Sequence, residues 1–279
     1  MKITFFGTTT LLFDDGKDQV LFDAHFTRPS LARYIFGSGA TDARLADELL
    51  AAHHVDRLRA IFISHSHHDH VMDAPHIANR CGAAIYGSRS ALNVGRGGGV
   101  PEERLIEFHA GETHAVGEYR VTVLASLHSK PTLLNNDLGQ TIDAPLAQPA
   151  RLRDYKEGGS YDFLVEARGR KVLIRPSFNF IEGQLDGVRA DVLFLGIAGL
   201  AKADAATEAK FFAETVEKAR PSLVVPLHWD NFFSRLDRPI VGMPRVVERT
   251  EVAFYRLARY CEAHGVNCLV QLPRTSIEV

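Results

Sequence analysis

Four of the chain's thirteen histidines stand within residues 65–70, which read His-Ser-His-His-Asp-His. This stretch directly follows the apolar run Ile-Phe-Ile of a predicted buried strand. Because residues two apart in an extended segment point to the same side, His65 and His67 can face one pocket, and Asp69 and His70 can reach it from the turn that follows. Neutral imidazoles bind divalent zinc well, and a carboxylate adds an anionic ligand. The alternative of a solvated histidine-rich turn leaves this spacing unexplained, so the stretch predicts a metal site.

The pattern His-x-His-x-Asp-His is the signature of the metallo-β-lactamase superfamily, and the chain resembles that family over nearly its whole length. His128 and His228 each end a predicted strand further along the chain, where the family has its remaining histidine ligands. The resemblance implies two ligand sets, one for each of two metal ions: His65, His67 and His128, and Asp69, His70 and His228. Asp23 follows another predicted strand and matches an acidic residue that supports the site in many relatives.

One position departs from the family pattern. Relatives usually carry a metal-bridging aspartate after a strand between the third and last histidines, and here the strand Lys171–Arg175 leads to Ser177 at that place. Serine is neutral and a poor zinc ligand, so the anionic bridge is missing. The sequence leaves open whether the second set binds its ion weakly, holds a different ion, stays empty, or keeps two ions through a bridging hydroxide. Zinc is the expected metal, with manganese or iron as alternatives, because His/Asp ligation does not select one ion.

The resemblance implies a hydrolase. A zinc ion lowers the pKa of its bound water toward about 7, and the hydroxide formed is expected to attack an ester, lactone, amide or phosphoester bond of a small molecule. Asp69 is the expected catalytic residue, orienting the water and accepting its proton. Further polar residues are candidates for supporting the site or contacting substrate, or else for satisfying loop hydrogen bonds: Asp23, Ser177, Asn179, Trp229 and Asp230. The resemblance is closest to small cytoplasmic hydrolases that include sugar-phosphate lactonases, although Thr8 replaces the histidine of their Gly-His-Ala turn.

Two other functions compete with this interpretation. A nucleic-acid-processing nuclease of the same superfamily predicts a basic face or a large inserted binding domain, and neither is evident at a net charge of −2. A non-catalytic binding protein on a decayed hydrolase scaffold is consistent with Ser177. The six retained ligand positions argue against that second alternative.

The elements around these residues alternate between short strands and helices, which predicts an α/β fold. We expect a four-layer αββα sandwich, with two mixed sheets packed face to face and helices outside, and with the metal site where strand-end loops of both halves meet. Helices are predicted over 205–219 and 245–264 on the outer faces, and over 71–81 with Gly82 as its C-terminal cap. The glycine-rich residues 95–99 lack phosphate-loop spacing and predict a flexible surface loop.

Length and composition fit one globular domain over residues 1–279, with a Pro-, Gly- and Asn-rich segment at 131–159 that we expect to be a lid over the pocket. No apolar run reaches the ~18 residues that span a bilayer. The three cysteines form no Cys-x-x-Cys pair, as is typical of a reducing compartment, and the N-terminus shows no signal peptide, so we expect a cytoplasmic protein. The expected partner is a small-molecule substrate rather than nucleic acid or a membrane, and the sequence does not determine the oligomeric state.

Overall fold

In a computed structural model of the chain, which describes residues 1–131 and 136–279, the described residues form two mixed seven-stranded sheets packed face to face. From edge to edge, the first sheet consists of β16 (Thr275–Glu278), β1 (Lys2–Gly7), β2 (Thr10–Asp14), β3 (Gln19–Phe22), β5 (Leu58–Phe62), β6 (Ala84–Gly87) and β7 (Leu105–Glu107). The second consists of β15 (Asn267–Cys268), β14 (Leu223–Leu227), β13 (Val192–Gly196), β12 (Arg170–Arg175), β11 (Tyr161–Ala167), β9 (Tyr119–Ala125) and β8 (Thr113–Val116). A short ladder pairs β4 (Ser38–Gly39) with β10 (Ala150–Arg151).

Both sheets follow the same plan, with antiparallel strands at one side and parallel strands at the other. In the first sheet β1, β2 and β3 are antiparallel neighbours, and β3, β5, β6 and β7 run parallel. In the second sheet β8, β9, β11 and β12 are antiparallel neighbours, and β12, β13, β14 and β15 run parallel. The carboxyl ends of parallel strands meet at one edge of a sheet, so the loops that follow β3, β5 and β14 can build one site.

Helices cover the outer faces of the sandwich. Their bounds are α1 (Leu31–Phe36), α2 (Ala43–Ala52), α3 (His68–Val71), α4 (Ala74–Cys81), α5 (Arg89–Gly97), α6 (Ala205–Phe212) and α7 (Thr250–His264). The alternation of side chains along β3 explains the layers: Val20 and Phe22 belong to the core between the sheets, whereas Leu21 belongs to the core shared with α2, α4 and α5. Phe22 packs against Phe163 of the opposite sheet with ring centroids 5.4 Å apart. The predicted αββα sandwich is confirmed.

The predicted helices are present, but their boundaries differ. Residues 205–219 form α6 followed by a π-helical turn over Ala213–Glu217, and the last helix begins at Thr250 rather than at residue 245. The helix predicted over 71–81 is interrupted at its start: Val71 ends the short helix α3, and α4 begins at Ala74. Asp73 interrupts it because its buried carboxylate accepts the backbone N–H groups of Phe26 and Thr27 (2.6 and 2.8 Å). Gly82 caps α4 in the left-handed conformation as predicted.

The glycine-rich residues 95–99 were predicted as a loop. That prediction is wrong for the first three of them, since residues 95–97 form the last turn of α5. A Cβ at Gly95 would lie 2.7 Å from Leu105 Cδ2, so glycine there lets the helix pack closely on β7. Strands β8 and β16 were not predicted. No helix among the described residues is long and apolar enough to cross a membrane.

The segment 131–159 is described except for residues 132–135. Its later part is attached to the first half of the sandwich: Leu152 and Tyr155 are buried in the same core as the helices α4 and α5, and the Asn93 side chain donates to the backbone carbonyl of Ile142 (2.6 Å). The single-domain organisation and the lid role of the segment stay predictions.

A buried ion pair lies beneath the loops of the second sheet. Arg175 Nη1 at the end of β12 is 3.0 Å from Asp162 Oδ2 in β11, and both side chains are only 1% exposed. Ser126 Oγ also donates to Asp162 (2.9 Å), and Arg175 Nη2 donates to the carbonyl of Asn179 (3.1 Å). The pair therefore ties together the loops after β9 and β12.

Replacing Asp162 with alanine should lower the free energy of unfolding by about 3–5 kcal/mol, because Arg175 would be left buried without its counter-ion. Urea denaturation followed by circular dichroism measures this. The matched control is Glu166→Ala on the same strand. The ion pair of Glu166 with Lys171 is far more exposed (31% for Glu166 and 51% for Lys171) and should contribute less than about 1 kcal/mol. Equal losses in the two variants would contradict the assignment, whereas partial recovery in an Asp162→Ala/Arg175→Met double variant would support it.

Candidate metal centre

The histidine-rich motif leaves the carboxyl end of β5 and enters the short helix α3. Its first part is extended and is held by the backbone of Ser66, whose N–H donates to the carbonyl of Glu157 (2.9 Å). Helical hydrogen bonding then begins at His67, whose carbonyl accepts the N–H groups of His70 and Val71 (3.0 and 3.1 Å). The change of conformation sends the first two motif histidines and the last two motif ligands in different directions.

One candidate ligand set consists of His65, His67 and His128. The ring centroids form a nearly equilateral triangle: 4.9 Å between His65 and His67, 4.8 Å between His65 and His128, and 4.7 Å between His67 and His128. One nitrogen of each ring lies within 4.8 Å of a nitrogen of the others. The structure thus brings together the three histidines that the sequence assigned to one metal.

Burial keeps imidazoles of this set neutral. It lowers the pKa of His65 well below the ordinary value, and the neighbouring imidazoles lower it further. Burial and the adjacent His67 lower the pKa of His128 to about 3. A neutral imidazole retains one unprotonated nitrogen, which is the form that binds a metal.

The second candidate set consists of Asp69, His70 and His228. Asp69 Oδ2 lies 3.6 Å from His70 Nε2 and 3.4 Å from His228 Nε2. Burial opposes ionisation of Asp69, but His70, His228 and His68 together hold its pKa well below the usual range. This set therefore presents a carboxylate and two imidazoles.

Asp23, which the sequence predicted to support the site, contacts His70 of the second set. Its Oδ2 accepts hydrogen bonds from His70 Nδ1 (2.7 Å) and Thr9 Oγ1 (2.6 Å), and its Oδ1 accepts the N–H of Ser64 (2.8 Å). A carboxylate only accepts, so His70 carries its proton on Nδ1 and turns an unprotonated Nε2 toward Asp69.

The donor atoms fit a metal ion. His65 Nε2 is buried and has no hydrogen-bond partner among the described residues. Leaving a buried polar atom unsatisfied lowers the stability of the fold by about 1–3 kcal/mol. A divalent cation would accept its lone pair. Three imidazoles, or two imidazoles and a carboxylate, are donor sets that zinc and related ions take.

Two predicted support residues lie where the second sheet meets the site. Asn179 donates from Nδ2 to the carbonyl of His128 (2.7 Å) and accepts the N–H of Phe180 (2.9 Å), so it holds the loop of His128 in place. Ser177 is buried at the end of β12 and lines the same cavity as His128 and Asp69.

Trp229 and Asp230 are not among the residues that line the cavity. The Trp229 ring packs 5.2 Å from that of Phe254 in α7. Asp230 is fully buried and forms an ion pair with Arg28 Nη2 (2.7 Å), while its Oδ1 accepts the N–H of Thr8 (2.8 Å). Trp229 therefore packs against α7, and Asp230 attaches the loop after β14 to Arg28 and Thr8.

Both ligand sets open into one cavity of about 870 Å³. Such a volume is ordinary for a small-molecule site. The lining includes aromatic side chains and cationic ones: Tyr155, Phe178, Phe180, Phe211, Phe232 and Phe233, and Lys130, Arg153, Lys156, Lys202 and Lys210. Pro131, Asn136, Asp137 and Gln140 place the described start of the segment 131–159 at the cavity.

The sequence matches the family model for the β-lactamase superfamily domain over residues 18–229, more than half of the chain. The chain belongs to the β-lactamase superfamily.

Individual proteins resemble the chain at low sequence identity. A UPF0173 metal-dependent hydrolase from Methylobacterium nodulans is 28% identical over 243 residues, 83% of this chain and 86% of that protein. One from Chloroflexus aurantiacus is 29% identical over 129 residues, 46% of this chain and about half (52%) of that protein. The metallo-β-lactamase fold protein YhfI from Bacillus subtilis superposes with a TM-score of 0.60 at 14% identity, covering 99% of each chain. The last likeness shows the fold.

Asp137 is a site residue that sequence reasoning missed. His67 Nε2 lies 3.1 and 3.2 Å from its two carboxylate oxygens. Burial opposes ionisation of Asp137, but His67 and Lys156 lower its pKa below the usual value. It belongs to the irregular segment 131–159, where neither spacing nor periodicity distinguishes one polar residue from another.

The backbone at Gly7 links the N-terminal strands to His228. His228 donates its N–H to the carbonyl of Thr8 (2.7 Å). Gly7 has φ +95°, and a Cβ there would lie 1.9 Å from Arg28 Nη2 and 2.6 Å from Asp230 Oδ2. Only glycine leaves room for the ion pair that holds this corner.

Gly7→Ala should therefore destabilise the protein and weaken metal binding at Asp69, His70 and His228. The control is Gly16→Ala, at φ +89° with no atom within 4 Å, which carries backbone strain of about 1–2 kcal/mol without a clash. We expect Gly7→Ala to cost about 3–5 kcal/mol more, because it separates a buried ion pair. Urea unfolding and metal titration measure both effects, and equal behaviour of the two variants would refute the constraint.

Proposed function

We propose that this protein is a metal-dependent hydrolase that cleaves an ester, lactone, amide or phosphoester bond of a small molecule. The observation that carries the proposal is that two adjacent candidate ligand sets, together containing five imidazoles and one carboxylate, both contribute residues to the lining of one cavity. The name of the Methylobacterium relative, a metal-dependent hydrolase that the chain matches over most of its length, supports the same reaction class.

His65, His67 and His128 would hold one ion, for which we propose zinc, and Asp69, His70 and His228 would hold a second. When bound, zinc supplies a Lewis acid that lowers the pKa of a water toward about 7 and stabilises negative charge developing on the substrate. Neutral, buried imidazoles suit this ion because they give up no hydration and need no deprotonation.

Asp69 is the residue that we propose to orient the attacking water and take its proton. It is the carboxylate of the second set and lines the cavity next to His67 and His128. The surrounding imidazoles keep it ionised, and an ionised carboxylate is an acceptor for a water O–H. A general base must lie within hydrogen-bond reach of the proton it removes, and a water among these residues satisfies that condition.

The proposed partner is a small molecule with an apolar part, since aromatic side chains such as Phe178 and Phe232 line the cavity beside the ligands. A net charge of −2 gives no general attraction for nucleic acid or an anionic membrane surface. The three cysteines are unpaired, which supports a reducing compartment, and we propose the cytoplasm.

Zinc-loaded protein should hydrolyse at least one class in a panel of esters, lactones, amides and phosphodiesters, and His67→Ala should lower kcat/KM by at least ~100-fold. The reason is that removing even a hydrogen-bond partner of a ligand costs about 10–100-fold. His109→Ala, an exposed histidine, is the control and should keep full activity. Parallel loading with manganese or iron(II) identifies the active metal. Activity that survives His67→Ala, or no activity with any loaded metal, would refute the proposal.

Ser177 predicts unequal metal sites. Without a bridging carboxylate, no negative charge between the two dications offsets their repulsion, which at ~4 Å and an effective dielectric near 20 is about 4 kcal/mol per pair of unit charges. The three-histidine set should fill first, and Ser177→Asp should tighten the second site and raise the stoichiometry toward two. Metal analysis after dialysis against limiting chelator tests this, with Ser177→Asn as the neutral control. Two tightly held ions in the native protein, unchanged by the aspartate, would contradict the expectation.

A further inference from the structure

Within the described residues, His67 is the only histidine of its ligand set with a ring nitrogen at hydrogen-bond distance from a carboxylate of a residue outside the two sets. Its Nε2 faces Asp137 at 3.1 and 3.2 Å, whereas the Nδ1 of His128 donates to the backbone carbonyl of Ser129 (3.0 Å). His67 Nδ1 makes no hydrogen bond with any residue in the described ranges. One ring nitrogen is therefore engaged and the other is available.

The chemistry of the partner decides which nitrogen carries the proton. An ionised carboxylate can only accept, so the proton of a neutral His67 belongs on Nε2 and the lone pair on Nδ1. In the same way, Asp23 places the proton of His70 on Nδ1 and leaves Nε2 for the site. The two carboxylates thus select opposite tautomers in two histidines of the same motif.

Asp137 is itself held close to the motif. Glu157 is buried, and its Oε2 accepts the N–H of Gly139 (2.7 Å), two residues beyond Asp137. The carbonyl of the same Glu157 accepts the N–H of Ser66 (2.9 Å), immediately before His67. The turn that carries Asp137 is therefore attached to the backbone of the motif as well as to the side chain that it contacts.

We propose that Asp137 is a positioning residue that fixes His67 as the tautomer with Nδ1 directed to the metal and, through the same contact, attaches the cavity-lining turn 137–140 to the site. The inference rests on the proposed function only in taking His67 as a metal ligand. Carboxylate partners of this kind raise the basicity of a ligand histidine and hold its ring orientation.

Zinc affinity measured by competition with a chromophoric chelator tests the proposal without any substrate. Asp137→Ala should weaken the tighter site by about 10–100-fold, and Asp137→Asn, which keeps an acceptor but no charge, should lose less. The matched control is Asp154→Ala, which removes an exposed carboxylate of the same segment that does not line the cavity, and it should leave the affinity unchanged.

Nitrogen-15 correlation spectra of the histidine rings supply a readout that a merely structural residue would not change. In the native protein and in Asp137→Asn, His67 should show a protonated Nε2 before zinc is added and zinc on Nδ1 afterwards. In Asp137→Ala the metal-free ring should show a mixture of tautomers, while the spectrum of His70, held by Asp23, should be unchanged.

Unchanged zinc affinity in Asp137→Ala, or zinc on His67 Nε2 in the native protein, would overturn the proposal. Loss of all native histidine signals would show that Asp137 serves folding alone, and would overturn it too. Failure of the hydrolase assay together with the expected zinc and tautomer shifts would refute the proposed reaction and leave the role of Asp137 standing. The two proposals are therefore separable.

Discussion

A buried neutral imidazole has one nitrogen that donates and one that accepts, and the site depends on which of them the protein engages. Asp23 accepts a hydrogen bond from Nδ1 of His70, and the carbonyl of Ser129 accepts one from Nδ1 of His128. Each contact satisfies the nitrogen on the protein side and leaves the other facing the site. Burial removes water as a competing partner and keeps the rings uncharged. The fold therefore prepares His70 and His128 as donors by supplying a partner on only one side of each of these two rings.

The sandwich supplies those partners from both of its halves. The first sheet delivers Asp23 and the motif from the ends of β3 and β5, and the second delivers His128 and His228 from the ends of β9 and β14. Buried ion pairs stand behind the loops of the second half: Asp162 with Arg175, and Asp230 with Arg28. A paired buried charge adds little net stability but is costly to separate. These pairs consequently hold the loops in one arrangement more than they strengthen the core.

The two ligand sets differ in charge. One is three neutral imidazoles, whereas the other contains Asp69, whose carboxylate is kept ionised by the imidazoles around it. Ser177 adds no charge between them. An uncharged ligand set leaves a bound dication with its full charge, which favours polarisation of a substrate carbonyl or phosphoryl group. The three-histidine set is therefore suited to polarising a substrate, and the ionised Asp69 of the second set is suited to accepting a proton.

The strand pattern predicted the fold class, and the local His-x-His-x-Asp-His spacing predicted four candidate ligands, whereas His128 and His228 were assigned through the resemblance to the superfamily. Asp23 was assigned in the same way, as the match to an acidic residue that supports the site in many relatives. The remaining contacts depend on how the two halves of the chain pack together. Trp229 and Asp230 are the two residues that follow His228, yet Trp229 packs against Phe254 and Asp230 forms an ion pair with Arg28, about two hundred positions away in the chain. Asp137 lies in an irregular segment whose course is set by contacts with Glu157 and Ser66. Side chains on such segments have no periodicity to read, so their partners become visible only when the two halves of the chain are packed together.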